Sequence, residues 1–306
     1  MKRIVIGIIA VAVLWLLFDR IGGMLMRQVC RHTHDMTTPA IRHLTEEADE
    51  DLILLGASRC NAHYVPSILQ DSLHLRVYNG GVDGSHDIYA HYLSLCYLLE
   101  HHAPKIICLE LFDGDLIVEE DPFYTISYYA PYFGKSATAD SVFDLAGTSG
   151  LYRLSHLYRY NAKSISNFTG LVKRRRSDEN GGYTPVPKPP MAPQELSRQA
   201  DITEYDSTKI AYIEKFIGRC QERGIQLVLT ISPCYTVADS SHYAKVREIA
   251  QKHDVPLLDY HTSGLFRDKP VCFHDEMHLW DSSARVFSSV FASDLLRLGL
   301  LDQDGK

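Results

Sequence analysis

Residues 4 to 18 read IVIGIIAVAVLWLLF, fifteen successive positions without a charge, directly after Met1-Lys2-Arg3. A helix this apolar on every side has to be taken up by lipid or by a protein core. At about 1.5 Å per residue the run reaches about 22 Å, short of a bilayer core of roughly 30 Å. It therefore spans only if the helix continues past Asp19-Arg20, through IGGMLM, towards residue 26, with Arg20 snorkelling to the interface. A cleaved signal peptide has an apolar region of similar length, but no small-x-small site follows the run where cleavage is expected. The reading is an uncleaved anchor over residues 1 to 32. Lys2, Arg3 and the amino group nearly balance Arg20, Arg27 and Arg31, so charge does not orient it. A lone amino-terminal anchor is the usual export device, which places the body on the extracytoplasmic (periplasmic) side.

The rest of the chain is long enough to bury a sizeable core. Of its 306 residues 45% are hydrophobic and 23% charged, which excludes collagen-like, disordered and disulfide-scaffold classes. A formal charge of -7 gives nucleic acid no general reason to bind. Seven cysteines without a CxxC pair spell out neither a zinc ribbon nor a dithiol redox motif, and no cofactor is called for.

From residue 51 short apolar runs alternate with amphipathic stretches, as successive βα units do around a parallel sheet. Asp51 to Leu55, Leu75 to Tyr78, Lys105 to Leu111, Ile225 to Ile231 and Pro256 to Asp259 are predicted strands. Asp87 to His101, Ser207 to Arg223, Ser240 to His253 and Ser282 to Leu298 have helical periodicity. The expected fold is α/β, a three-layer sandwich with a five-stranded parallel sheet in a domain over residues 33 to 306. An insertion at about 116–204, too long for a plain loop, is tyrosine-rich early (124, 128, 129, 132, 152, 158, 160) and proline-rich late. Its aromatics fit either a flat substrate platform or a satellite core. Its basic run Lys173-Arg174-Arg175-Arg176 reads as a solvated loop before it reads as a contact to anionic lipid or polymer.

Ligands of an open parallel sheet bind at the carboxyl ends of its strands. The first run continues as Gly56-Ala57-Ser58-Arg59-Cys60-Asn61, so Ser58 falls where the next helix begins, as a nucleophile or as a mere N-cap. The second continues as Asn79-Gly80-Gly81-Val82-Asp83-Gly84, a loop able to present N–H groups to a ligand, or an ordinary turn. Near the carboxyl end Asp275 and His278 stand three apart before a helix. A carboxylate holding one imidazole nitrogen leaves the other free to take a serine proton, the division of labour of acyl transfer.

With these three blocks in this order, the sequence resembles the SGNH or GDSL esterase superfamily over about residues 51 to 111 and 225 to 298. The resemblance implies Ser58 as nucleophile, His278 as base, Asp275 as its partner, and the N–H groups of Ser58 and Gly84 as oxyanion donors. Ala57 replaces the family's usual aspartate. The third block, normally Gly-x-Asn-Asp, lies here in Glu110-Leu111-Phe112-Asp113-Gly114-Asp115, with Gly114 at the asparagine place. Loss of such a donor can cost around a hundredfold in rate. Together with the anchor, these departures resemble the membrane-anchored SGNH-like proteins associated with acylation of cell-envelope polymers. The implied function is a membrane-anchored serine esterase or acyltransferase acting on acyl esters of an envelope polysaccharide, with a membrane-bound acyl-transfer protein as a further implied partner.

Arg59, Asn79, Asp113 and Tyr235 are candidates for the substrate rim, and Asn61 and His63 are possible helpers. Arg59 can also be paired internally with a carboxylate. Three rival readings remain. His274 and His278, four apart, imitate a zinc helix, but Lys269-Pro270-Val271 favours a turning chain and no third ligand is evident. Cys60 is read as a buried, inert thiol rather than the nucleophile. A non-catalytic envelope-assembly or polysaccharide-binding protein can keep the same fold.

Overall fold

A run of apolar residues with no polar alternation suits a strand covered on both faces. In the computed structural model, which describes residues 1–35, 37–172, 180–189, 197–198, 204–237 and 242–300, all five runs become such strands. β1 (Leu52–Leu55), β2 (Val77–Asn79), β3 (Ile106–Glu110), β4 (Gln226–Ile231) and β5 (Leu257–Asp259) form one parallel sheet in the order β2-β1-β3-β4-β5. Leu54 pairs with Asn79 on one side and Cys108 on the other, and Leu229 pairs with Leu109 and Leu257.

Period-two geometry sorts each strand between two cores. Ile53, Leu55, Ile107, Leu109, Leu229 and Ile231 enter one, and Leu52, Leu54, Ile106, Cys108 and Val228 the other. The first is covered by α2 (Thr38–Glu46), α5 (Ile88–Leu98), α9 (Ser207–Glu222) and α10 (Ala244–Lys252); the second by α3 (Ser58–His63), α4 (Pro66–Leu73) and α11 (Asp281–Arg297). The result is the three-layer α/β sandwich expected. The chain lays β2 on one side of β1 and β3 onward on the other, so the order switches there and the crevice lies beyond the carboxyl ends of β1 and β3.

Helix ends follow local chemistry. Asp87 caps α5 by accepting from Tyr89 N at 2.8 Å, so the helix starts one residue after the predicted boundary. Tyr243, at φ 57°, precedes α10, which begins at Ala244; the predicted start at Ser240 lies outside the described residues. The basic run 173–176 also lies outside them.

The insertion's two ends are tied together. Ile117 bridges Tyr205, Val118 N donates to Glu204 O at 3.2 Å and Asp206 N to Leu116 O at 2.9 Å. Between them lie α6 (Ala137–Leu145), α7 (Ser149–Leu154), α8 (Ser164–Gly170) and 3-10 turns at Thr125–Tyr132 and Tyr158–Lys163. Tyr129, Tyr132 and Tyr152 are buried in the first core and Tyr160 packs on the amino-terminal helix, while Tyr124 and Tyr158 are exposed. Most of the early tyrosines are therefore packing residues, not a substrate platform.

α1 runs unbroken from Lys2 to His32, straight through Asp19-Arg20. With a mean hydropathy of 2.4 in its most apolar window, it is long and apolar enough to cross a membrane. Residues 1–18 stand clear of the body; from Asp19 onward one face docks on the insertion.

Candidate active site

The position of Ser58 is set by close backbone packing after β1. A β-carbon on Gly56 would lie 2.7 Å from Cys60 Cβ and 2.9 Å from Glu110 Cβ, which brings the turn down onto β3. Ser58 is the first residue of α3 and its side chain is half-buried. The loop after β2 is laced to the same turn: Gly80 N donates to Leu54 O at 2.8 Å and Val82 N to Gly56 O at 2.9 Å. Gly81 is required here, since a β-carbon would stand 2.4 Å from Asn61 N.

The second half of the site is a tight turn before α11. Phe273 bridges Leu279, and His274 N donates to His278 O at 2.7 Å. Inside the turn Asp275 Oδ1 accepts from Met277 N and His278 N, both at 2.8 Å, a local side-chain to backbone closure typical of aspartate. His278 Nδ1 lies 3.0 and 3.1 Å from the two Asp275 oxygens, and His278 Nε2 lies 2.9 Å from Ser58 Oγ. The carboxylate takes the Nδ1–H, so Nε2 is the acceptor of the serine hydroxyl. Partial burial pushes the Asp275 carboxyl up, but the His278 ring and the two N–H groups outweigh it and hold it down at about 2.

His63 supports this turn from below. It is fully buried, Leu279 N donates to its Nε2 at 3.0 Å, and its ring meets His278 edge-on at 6.2 Å between centroids. Burial, reinforced by His278 and Arg59, pushes its imidazole well below the usual range, so it stays neutral and keeps that acceptor. Sequence reasoning noticed His63 but had no spacing by which to give it this place.

The tail of the insertion joins the two halves, which was not foreseen. Asn79 N donates to Gly181 O at 2.8 Å, Thr184 N to Asn61 O at 3.1 Å and Asp281 N to Val186 O at 2.8 Å. Tyr183 OH donates to Asp281 Oδ1 at 2.8 Å, and His274 Nδ1 to Pro187 O at 2.7 Å. The signal available was Pro185-Val186-Pro187, which favours an extended strap, although nothing local says what it crosses.

Other expected site residues fall elsewhere. Arg59 does not line the rim: it is buried, pairs with Glu110 at 2.8 Å, donates to Leu111 O at 3.0 Å and covers the Phe112 ring at 4.5 Å. The carboxylate partner at the end of β3 was there in the sequence, unassigned. Asn79 is also a scaffold residue, fully buried, donating to Cys60 O and Tyr64 O at 2.7 and 2.8 Å and accepting from Gly81 N at 3.0 Å. Asn61 likewise donates to Gly182 O at 2.8 Å. Tyr235 is buried, its N–H bracing Glu276 O at 2.8 Å behind the turn. Asp113 opens the 3-10 turn Asp113–Leu116, and its side chain lies outside what the structure describes. Gly84 adopts φ 72° with open space where a β-carbon would be. Gly114 packs against the Phe112 ring, where a β-carbon would meet it at 3.0 Å.

The zinc-helix alternative lacks its helix. Residues 274–277 are bends, and both ring nitrogens of His278 are engaged by Asp275 and Ser58. Among the described residues, no group of three or more His, Cys, Asp or Glu is placed to hold a metal ion. Cys60 is fully buried and burial pushes its thiol well up, which leaves it unreactive.

No family model and no curated protein matches the chain. A crystal structure from Bacteroides fragilis, of a protein provisionally described as an acylhydrolase, superposes with a TM-score of 0.40 at 13% identity over 85% of this chain and 95% of that one. A likeness of that degree assigns neither family nor activity.

Proposed function

We propose that this chain is a membrane-anchored serine ester hydrolase or acyltransferase of SGNH type, acting on acyl esters, acetyl among them, of a cell-envelope polysaccharide. The observation that carries the reading is the unbroken relay of Ser58 Oγ to His278 Nε2 at 2.9 Å and His278 Nδ1 to Asp275 at 3.0 Å, at the carboxyl end of a parallel sheet. Ser58 Oγ attacks the ester carbonyl as its proton passes to His278. Asp275 steadies the imidazolium, and the N–H groups of Ser58 and Gly84 receive the oxyanion. Collapse expels the alcohol, protonated by His278, and leaves an acyl-Ser58. Water then returns the acid; a sugar hydroxyl, or a group carried by a membrane-bound acyl-transfer partner, makes the step a transfer.

The test is a mass shift on Ser58 after incubation with a fluorophosphonate and with acyl donors. Adduct formation and ester turnover in the native chain, both lost in Ser58→Ala, are the expected result. Gly114, which brings no side-chain donor to the third block, favours a second reading, a polysaccharide-binding or assembly protein. That reading is upheld if Ser58 stays unlabelled while Ser58→Ala retains polymer binding.

A further inference from the structure

α1 sets a problem that its own sequence does not solve. The uncharged run is short of a bilayer, and the next two residues are Asp19 and Arg20. Asp19 is buried, and every hydrogen bond that buries it comes from one segment: Ser155 Oγ, His156 N at 2.9 Å and Leu157 N at 3.2 Å, with Arg20 NH1 at 3.7 Å. Gly22 and Gly23, each costing a helix about 1 kcal/mol against alanine, let that segment come close. A β-carbon on Gly23 would lie 2.8 Å from His156 Cβ, and one on Gly22 would lie 3.2 Å from Leu157. The opposite face of the same turns, Ile21, Met24 and Leu25, is 50%, 61% and 63% exposed. Arg27 and Arg31, beyond them, pair with Glu46. One side of α1 is thus apolar and uncovered as far as Leu25.

From Ile4 to Leu25 the helix covers about 33 Å at ~1.5 Å per residue, enough for a hydrocarbon core of roughly 30 Å. If Leu25 marks the boundary, Asp19 lies about 9 Å inside it, and so does whatever is bonded to Asp19. What is bonded there is the corner between α7 and Tyr158, whose outside is mostly apolar: Leu151, Leu154 and Tyr158 are 50%, 59% and 40% exposed, and the exposed Arg153 among them is paired with Asp144 at 2.9 Å. An apolar cleft lined by Trp15, Phe18, Leu157 and Tyr158 runs in the angle between this corner and α1.

We propose that this corner is a second membrane-contacting element, a shoulder seated in the headgroup and acyl boundary of the bilayer that α1 crosses. Its depth, about 5–10 Å, is that of an interfacial amphipathic segment. Its donors satisfy the Asp19 carboxylate and Arg20 balances its charge, so the span continues through a charged pair. The occupant is lipid because the exposed face is continuous with the exposed face of the spanning helix and lies at its depth.

The inference rests on the anchor reading, and the test separates the two. The full chain, with Cys272→Ser removing the one thiol that is not buried, is given one added, accessible cysteine by Leu154→Cys, Leu14→Cys or Val286→Cys. Each is labelled with an environment-sensitive nitrobenzoxadiazole and placed in phosphatidylcholine nanodiscs containing shallow or deep nitroxide lipids. All three positions are exposed, so folding is not at stake. The expected result is loss of fluorescence at 154 with the shallow nitroxide, loss at 14 with the deep one, and no loss at 286, on the opposite layer. Quenching at 14 with none at 154 overturns the shoulder and keeps the anchor; no quenching at either overturns both. A blue-shifted but unquenched label at 154 means a second copy covers the corner, which also overturns the proposal.

Discussion

Asp275 and Arg59 are both charged residues beside Ser58, and the structure gives them opposite duties. Asp275 is held at about 2 by three N–H donors, so it is a carboxylate at any working pH. Its contribution to stability is present above the usual carboxylate value near 3.8 and is lost as pH falls through about 2, so it adds no limb to a pH–rate profile above pH 3. Asp275→Asn keeps the shape but removes the charge that steadies the imidazolium. We expect kcat to fall on the order of 10³–10⁴-fold with KM little changed, measured on a soluble aryl ester. Arg59→Ala, by contrast, strands Glu110, whose carboxyl burial already raises above the ordinary range. Breaking such a pair costs about 3–5 kcal/mol, so chemical denaturation should show a large loss of stability. A pure rise in KM with unchanged stability would return Arg59 to the substrate rim.

The elements were legible where their pattern is local. Five apolar runs sit in the sheet with ends shifted by one or two residues. α9, at sixteen residues, and α10 were legible by their amphipathic period, which the 3-10 turns of the insertion do not share. α5 was legible by its period, although in the fold it is buried on every side and capped by Asp87. That cap carries a penalty: burial pushes the Asp87 carboxyl up to about 7. Between about pH 4 and 7 the folded chain then holds a proton the unfolded chain has released, so stability falls as pH rises through that window. Asp87→Asn keeps the cap without the charge. Its Tm should exceed the native value by about 2–4 °C at pH 8 and match it at about pH 4 and below, as calorimetry can check.

For the whole molecule, what the sequence could not reveal is everything joined over long distances. The order Ser58, Gly84, Asp275, His278 was readable as a resemblance, and the geometry places the serine, the histidine and the aspartate in contact. The strap at 181–187, the Arg59–Glu110 pair and the partners of Asp19 were not readable, because each joins residues 50 to more than 130 positions apart and leaves no periodic trace. The same distances give the strap a consequence in time. Ser58 is synthesised early, but the imidazole its hydroxyl meets comes 220 positions later, and the bonds aligning the two halves end at Asp281. A nascent chain therefore carries Ser58 without its histidine neighbour until residue 278 has been made, and a chain cut short anywhere before it keeps a serine with no imidazole beside it.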